Sequence, residues 1–406
     1  MVIVVQKELR KKSKLHKHLL KLCLYFFATL GVLFFSVFLA IRLKLTNVSG
    51  AVDVMTDDFS QNSQKSTSVL GYQTDTTVTE TNNEFQKIDN QINQLGQKKM
   101  LLEQYLCDIQ VLSSIAPKNI TQVINIKNAN NSLYIANQML FAIKTHVSDK
   151  TKIDNEISSC VNSKNAFYIS EKDILNNISG STKINIFSWP DFSEWSVVSQ
   201  SVVKDKLVIE KAASVANIEP RLIVANLVVE QLRLFFSQRE LYKKFFEPLK
   251  ILANANKFSL GVMSIKEETA VAIENNLKDR NSPYYLGPEY ENLLDYEPSA
   301  DKPSQRYARL TANDHYYNYL YGALYLKQFI TQWKKEGFDL TKRPEILGTL
   351  FNVGFPQSKP NADPQVGGSV ITIGQNSYSF GRLSYEFYFS GELFTQFPYI
   401  NNLEIQ

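Results

Sequence analysis

An uncharged apolar run at residues 22–41 is the feature that most constrains how this chain can fold; it reads LCLYFFATLGVLFFSVFLAI. As an α-helix it would extend about 30 Å, which matches the hydrocarbon core of a bilayer. Residues 1–21 carry seven Lys and Arg, whereas only Arg42 and Lys44 follow the run closely. The asymmetry predicts a single transmembrane helix at 22–41, a basic cytoplasmic tail at 1–21 and the rest of the chain on the opposite side.

Two alternatives exist for this run, a cleaved secretory signal and a buried core helix. Signal sequences usually have apolar regions of about 7–15 residues followed by small residues, whereas this run is longer and is followed by Arg-Leu-Lys-Leu. A core helix is rarely uncharged around its whole circumference over such a length. The membrane anchor is therefore the favoured interpretation.

The formal net charge of +4 is unevenly distributed. Residues 1–45 hold nine Lys and Arg and one Glu, a net +8 that leaves −4 for the rest of the chain. A mildly acidic remainder does not favour nucleic acid as a partner. His146 and His315 are the only histidines beyond residue 45, so we expect no histidine-based metal site and no cofactor.

Cys107 and Cys160 both follow the predicted span, where an oxidising environment would preserve a disulfide. One sequence does not show whether two distant cysteines meet, so their pairing stays open.

Apolar periodicity divides the region after the span. Residues 42–82 are polar and lack periodicity, which predicts a flexible linker. Residues 83–178 are predicted to be helical, because apolar side chains recur in steps of three and four. These side chains are Phe85, Ile88, Ile92, Leu95, Leu102, Leu106 and Ile109, with Lys99 as a polar interruption. The stripe of about four heptads favours a hairpin or bundle packed on itself over a coiled coil that self-associates or binds an envelope partner.

Residues 179–195 contain Gly, Pro and two Trp and are predicted to connect two helical regions. Residues 196–406 are predicted to form one mainly α-helical domain, with helices at 197–216, 220–236 and 267–277 among others. A short hairpin is expected between Val370 and Phe380, with its turn at residues 374–376. The predicted fold class is therefore mainly α.

Glu230 is the first candidate for chemistry. It ends an almost wholly apolar helix that starts at Pro220, where the missing N–H of proline is harmless. A carboxylate at such a place is desolvated, which favours its protonated form, as a general acid requires. The alternatives are that Glu230 only pairs with Arg233, or marks the return of the helix to solvent.

Four segments in order resemble the lytic transglycosylase and goose-type lysozyme superfamily. The first, Glu219-Pro220 through Glu230, is similar to its proline-started helix that ends in the catalytic glutamate. The second resembles the pattern G-L-M-Q-I-x-P-x-T-A through Gly261-Val262-Met263-Ser264-Ile265 and Thr269-Ala270.

The third segment resembles N-x-x-x-G-x-x-Y-L through Asn318, Gly322, Tyr325 and Leu326. The fourth resembles Y-N-A-G through Phe351-Asn352-Val353-Gly354. The resemblance covers about a third of the chain and implies a lysozyme-like catalytic domain at 196–406. It says nothing about residues 1–195.

The resemblance implies a peptidoglycan lytic transglycosylase. Combined with the predicted span at 22–41, it predicts a protein anchored in a bacterial inner membrane with its catalytic domain outside the cytoplasm. Glu230 would act as general acid and then as base. The expected substrate-binding residues are Ser259, Gly261, Met263, Ser264, Tyr325, Phe351 and Asn352. Among these, Met263 would supply an apolar wall, Asn352 an amide for an N-acetyl group, and Tyr325 or Phe351 a ring for stacking. Core packing is the alternative for Tyr325.

Three residues depart from the family pattern: Gln231 replaces the usual serine, Ser264 the usual glutamine and Phe351 the usual tyrosine. These departures keep open a non-catalytic envelope scaffold that binds glycan. A hydrolytic lysozyme is a further alternative, because ordinary glycosidases use two carboxylates. Glu267 and Glu268 are the candidates for the second one, although acidic residues also favour a helix start.

Overall fold

The computed structural model describes residues 21, 25–29, 31–32, 35–36, 99–163, 165–179, 185–236, 259–374 and 376–400. The chain divides into two compact units. One comprises residues 1–49 and 249–253, and the other comprises residues 50–248 and 254–406. In the first unit, all described residues are helical.

The predicted transmembrane helix at 22–41 is wrong. Among the described residues, no helix combines the length and the apolar character that crossing a membrane requires. A span needs about 20 continuous apolar residues, whereas the helical residues described within this run are 25–29, 31–32 and 35–36. The predicted inner-membrane location depended on that span and is wrong for the same reason. The predicted linker at 42–82 lies outside the described residues.

The second unit consists mainly of helices, as predicted. The helix at 99–112 is α1. It is followed by α2 (Pro117–Asn130), α3 (Leu133–Lys144), α4 (Lys150–Asn162), α5 (Glu171–Ile178), α6 (Ser193–Lys204), α7 (Lys206–Ala216), α8 (Pro220–Phe236), β1 (Ser259–Leu260), β2 (Ile265–Lys266), α9 (Glu267–Lys278), α10 (Lys302–Thr311), α11 (Tyr316–Lys335), α12 (Pro344–Val353), β3 (Val370–Ile373), β4 (Asn376–Ser379) and α13 (Phe380–Phe389).

Local sequence explains where several of these helices begin. Ser132, Asp149 and Ser170 precede α3, α4 and α5, and each side chain accepts a hydrogen bond from a backbone N–H of the first turn. Such caps satisfy donors that the helix itself leaves unpaired. Pro117 and Pro220 open α2 and α8, where no N–H is needed.

The early helices share their core with the C-terminal part of the chain. The Tyr385 hydroxyl on α13 donates to Gln138 Oε1 on α3 at 2.5 Å, and the Phe141 ring meets Tyr385 edge to face. Cys107 and Cys160, whose pairing the sequence left open, form a disulfide that joins α1 to α4. The described residues of 83–178 therefore pack within the chain. The apolar stripe before residue 99 lies outside the described residues, and self-association stays a prediction.

Helix α8 runs through the centre of the C-terminal region. Its side chains from Arg221 to Glu230 are all buried, and it packs against α6, α7, α12, α13 and β3. Helices α12 and α13 form a close pair because glycines lie at their contact. A Cβ added to Gly348 would lie 2.2 Å from Ser384 Oγ, and one added to Gly381 would lie 2.2 Å from Thr349 Oγ1.

Three local predictions have different outcomes. The hairpin is confirmed: β3 and β4 pair antiparallel, with Ile373 opposite Asn376. The single helix predicted at 197–216 is wrong, because α6 and α7 meet at Asp205. The connecting segment at 179–195 contributes a fully buried ring, Trp189, to the core.

Candidate active site

Glu230 lies near the C-terminal end of α8, where the helix passes from the core towards the surface. Its residue is 4 % exposed, while Phe235, less than two turns later, is 48 % exposed. Arg233 follows one turn after Glu230 and donates to its Oε2 through Nε at 2.9 Å and Nη2 at 2.5 Å. The carboxylate is thus buried, as predicted, and it is held by an arginine.

Gln231 connects the end of α8 to the second motif. Its Nε2 donates to the backbone oxygen of Val262 at 2.7 Å. The loop at 261–264 therefore lies beside the helix turn that carries Glu230. A serine side chain is too short to make the same reach. Gln231, which stands where the family pattern has serine, therefore helps to position the loop at 261–264.

The second motif forms a tight hairpin that the sequence did not predict as strands. Ser259 pairs with Lys266 and Leu260 with Ile265, and residues 261–264 make the turn. Gly261 has φ +66°, a left-handed conformation that glycine adopts without a Cβ penalty. A Cβ at Gly261 would also lie 2.3 Å from Leu310 O. Ser264 has φ +51°, and its N–H donates to Gly261 O at 3.1 Å.

Asn318 and Gly322 of the third motif hold this hairpin turn on α11. The backbone N–H of Met263 donates to Asn318 Oδ1 at 2.6 Å, and Asn318 Nδ2 donates to Leu310 O at 3.0 Å. Met263 is fully buried over Gly322, where a Cβ would lie 2.8 Å from Met263 Cε. Met263 is therefore a packing residue, and the expected apolar wall for a sugar face is wrong, because no part of its side chain reaches the surface.

Tyr325 and Phe351 also lie in the core. Tyr325 is 3 % exposed and packs on the rings of Phe351 and Phe355, at 5.4 and 4.7 Å between centroids. Phe351 is 7 % exposed and stacks on Phe380. Burial leaves neither ring a free face, so the expected sugar stacking is wrong and the alternative of core packing applies. Burial also raises the pKa of the Tyr325 hydroxyl well above its usual range.

Asn352 of the fourth motif is half-buried and fixes the segment that leads into β3. Its Oδ1 accepts from the N–H of Ser369 at 2.8 Å and from the Ser369 hydroxyl at 3.0 Å. The protein thus engages the carbonyl side of this amide, and the expected contact of Asn352 with an N-acetyl group stays a prediction. Ser369 belongs to no motif, so its role was not visible in the sequence.

Glu267 and Glu268, the candidates for a second catalytic carboxylate, lie at the start of a helix. This agrees with the alternative that they stabilise the helix start. Helix α9 begins at Glu267, and Glu268 follows in the same turn. Glu267 Oε1 lies 3.5 Å from Arg306 Nη1, and Glu268 Oε1 lies 3.9 Å from Lys266 Nζ. Acidic side chains in a first turn are stabilised by the helix dipole. Neither carboxylate is described in contact with Glu230.

A second carboxylate, that of half-buried Glu219, lies at the opposite end of α8. The Tyr388 hydroxyl donates to Glu219 Oε2 at 2.7 Å, while Glu219 Oε1 is buried and has no hydrogen-bond partner within the described part of the chain. Burial raises the pKa of Glu219 to about 7, with the Tyr388 hydrogen bond and nearby Arg221 opposing the rise. Arg221 itself is fully buried and donates to four backbone oxygens, of Phe387, Tyr388, Glu392 and Phe397.

The site as a whole brings together segments far apart in the sequence. Gln231 contacts the second motif, Met263 contacts the third, and Tyr325 of the third packs on the fourth. In the described part of the chain, no group of three or more His, Cys, Asp and Glu could hold a metal ion. No known protein-family model, curated protein or solved structure matches this chain.

Proposed function

We propose that this protein is a peptidoglycan lytic transglycosylase with Glu230 as its catalytic residue. The observation that carries the proposal is the series of contacts that joins the four motif segments in order. Gln231 reaches Val262 O, 31 positions away, and Met263 N–H reaches Asn318 Oδ1, 55 positions away. Tyr325 of the third segment packs on Phe351 of the fourth.

In this proposal Glu230 first donates a proton to the glycosidic oxygen between N-acetylmuramic acid and N-acetylglucosamine. The bond from C1 to that oxygen breaks, and the C6 hydroxyl oxygen of the muramic sugar attacks C1. The Glu230 carboxylate then accepts the C6 hydroxyl proton. The products are a 1,6-anhydromuramic end and a free hydroxyl on the other sugar, and no water is consumed. One carboxylate suffices because the substrate's own hydroxyl replaces the second carboxylate of ordinary glycosidases.

The test is digestion of purified sacculi with the full-length chain, followed by mass spectrometry of the released muropeptides. We expect 1,6-anhydro ends from the wild type and none from Glu230→Gln. Glu156→Gln is the matched control, because its carboxylate is exposed and lies on α4. Equal release by the wild type and Glu230→Gln, or none by either, would contradict the proposal. Reducing ends in place of anhydro ends would identify hydrolysis.

A second candidate function is a non-catalytic, glycan-binding scaffold on the same fold. The contact that favours it is the ion pair of Glu230 with Arg233. Two guanidinium donors occupy Oε2 of Glu230, whereas a catalytic acid needs its carboxyl oxygen free to reach the substrate. This function predicts sacculus binding in a pull-down assay that is unchanged in Glu230→Gln, with no muropeptide release.

A further inference from the structure

The guanidinium of Arg233 binds a carboxylate of the protein in the same way that it would bind a carboxylate of a ligand. Its Nε and Nη2 both donate to one oxygen, Oε2 of Glu230, in a buried and charge-assisted contact. The Arg233 residue is 9 % exposed and lies in the last described turns of α8, next to half-buried Leu234 and exposed Phe235. The Arg233 side chain keeps 10 % of its surface exposed in the part of α8 that leaves the core.

The contact has a chemical consequence for Glu230. While Arg233 donates to Oε2 of Glu230, that oxygen is occupied and the guanidinium is engaged within the protein. A group that draws the guanidinium away would free Oε2 to meet the substrate. The planar fork of arginine matches a carboxylate better than any neutral sugar group. A ligand that carries its own carboxylate is the species suited to this exchange.

We propose that Arg233 is a specificity-determining residue that exchanges Glu230 for a carboxylate on the glycan. The identity of this glycan rests on the proposed function: N-acetylmuramic acid carries a lactyl carboxylate, and its C1 is the site of cleavage. Binding of the correct sugar thus frees Oε2 of Glu230. A neutral glycan, such as a chitin oligomer, leaves Arg233 on Glu230.

The test measures binding, so that it does not depend on cleavage. The probes are a peptide-free tetrasaccharide of alternating N-acetylglucosamine and N-acetylmuramic acid, and chitotetraose. Calorimetric titrations use the full chain carrying Glu230→Gln, in which Arg233 has lost its internal carboxylate. We expect the carboxylated probe to bind about tenfold or more tightly than chitotetraose, as for a hydrogen bond to a charged group. The wild type should show a smaller preference, because Glu230 competes for the guanidinium.

Three second substitutions on the Glu230→Gln background complete the design. Arg233→Gln should bring the preference to about one, and Arg233→Lys should restore part of it, because an ammonium supplies charge without the fork. Arg280→Gln is the matched control, since Arg280 is exposed, pairs with Glu291 and lies far from Arg233 in the sequence. If Arg233→Gln unfolds in a circular dichroism melt, Arg233→Met, which keeps the aliphatic stem, takes its place.

Equal binding of the two probes to Glu230→Gln, no binding of either, or a preference that survives Arg233→Gln would overturn the inference. If the carboxylated probe is preferred but no muropeptides are released from sacculi, the inference about Arg233 is supported and the proposed catalytic function is contradicted. If muropeptides are released but neither probe is preferred, the proposed function is supported and the inference about Arg233 is contradicted. The two failures are therefore distinguishable.

Discussion

Reduction of the Cys107–Cys160 disulfide should destabilise the second unit strongly. The bond joins positions 53 residues apart. In the chain-entropy description, closing a loop of that length removes about 14 cal/mol/K from the unfolded chain, which is about 4 kcal/mol at 25 °C. Small domains are stable by about 5–15 kcal/mol, so this one bond supplies a large share of the free energy of unfolding.

The structure also indicates which helix loses stability first when the disulfide is reduced. Of the 13 residues of α4, only Ile153 and Ile157 are buried apolar side chains, and half-buried Cys160 attaches the helix to α1. Two buried side chains contribute about 3–6 kcal/mol, which is less than the conformational entropy lost on ordering 13 residues. Reduction should therefore loosen α4 before the rest of the unit unfolds.

The assay is urea unfolding followed by far-ultraviolet circular dichroism, with and without reductant, in a chain whose Cys23 is replaced by Ala. We expect the free energy of unfolding to fall by about 4 kcal/mol, and Cys107→Ala/Cys160→Ala to reproduce the reduced protein. Hydrogen exchange should show the largest loss of protection at 150–162. A change below about 1 kcal/mol, or loss of protection that spares α4, would refute the reasoning.

Three further perturbations test the packing and the buried charges. Gly381→Ala should cost about 1–3 kcal/mol of stability in urea unfolding, because its Cβ would overlap α12. Gly367→Ala should change little, because its Cβ would lie 4.0 Å from Thr349 Cγ2, an ordinary van der Waals distance. Arg221→Met should cost about 4 kcal/mol by the same assay, because four buried backbone oxygens each lose a donor worth about 1 kcal/mol; a loss below 1 kcal/mol would contradict this. The pKa of Glu219 is raised from 4.5 to about 7 in the folded protein. Between these two pH values the unfolded chain has lost the Glu219 proton while the folded protein still holds it, so the stability of the wild type falls as pH rises through this range. Glu219→Gln should remove that fall, which urea unfolding at pH 5 and pH 8 measures, and an equal loss in both proteins would argue against it.

Local sequence predicted much of the secondary structure correctly because helix and hairpin signals are short-range. Proline at a first turn and a capping side chain act within four residues, and they mark the starts of α2, α3, α4, α5 and α8. The hairpin of β3 and β4 was predicted for the same reason. The break between α6 and α7 was missed, because Asp205 is held there by distant partners. Its Oδ2 accepts from the Tyr319 hydroxyl at 2.7 Å and contacts His315 Nδ1 at 2.6 Å.

For the candidate site, the sequence predicted the positions of the motifs but not the directions of their side chains. Glu230 was expected to be buried and is buried. Met263, Tyr325 and Phe351 were expected to line a groove and instead form core contacts. An apolar side chain in a motif has the same identity whether it meets a sugar or a neighbouring helix, so only the packing of α11 against α12 decides between the two.

The sequence by itself predicted that the part of the chain described after residue 99 is mainly helical, that α8 starts at Pro220, and that Glu230 is a buried carboxylate in it. It did so because helical periodicity and capping depend on neighbours along the chain. Only the tertiary structure decided that Cys107 meets Cys160, that Glu230 is held by Arg233, and that the run at 22–41 contains no described helix able to cross a membrane. These outcomes depend on distances between groups in space, which a pattern in one sequence does not contain.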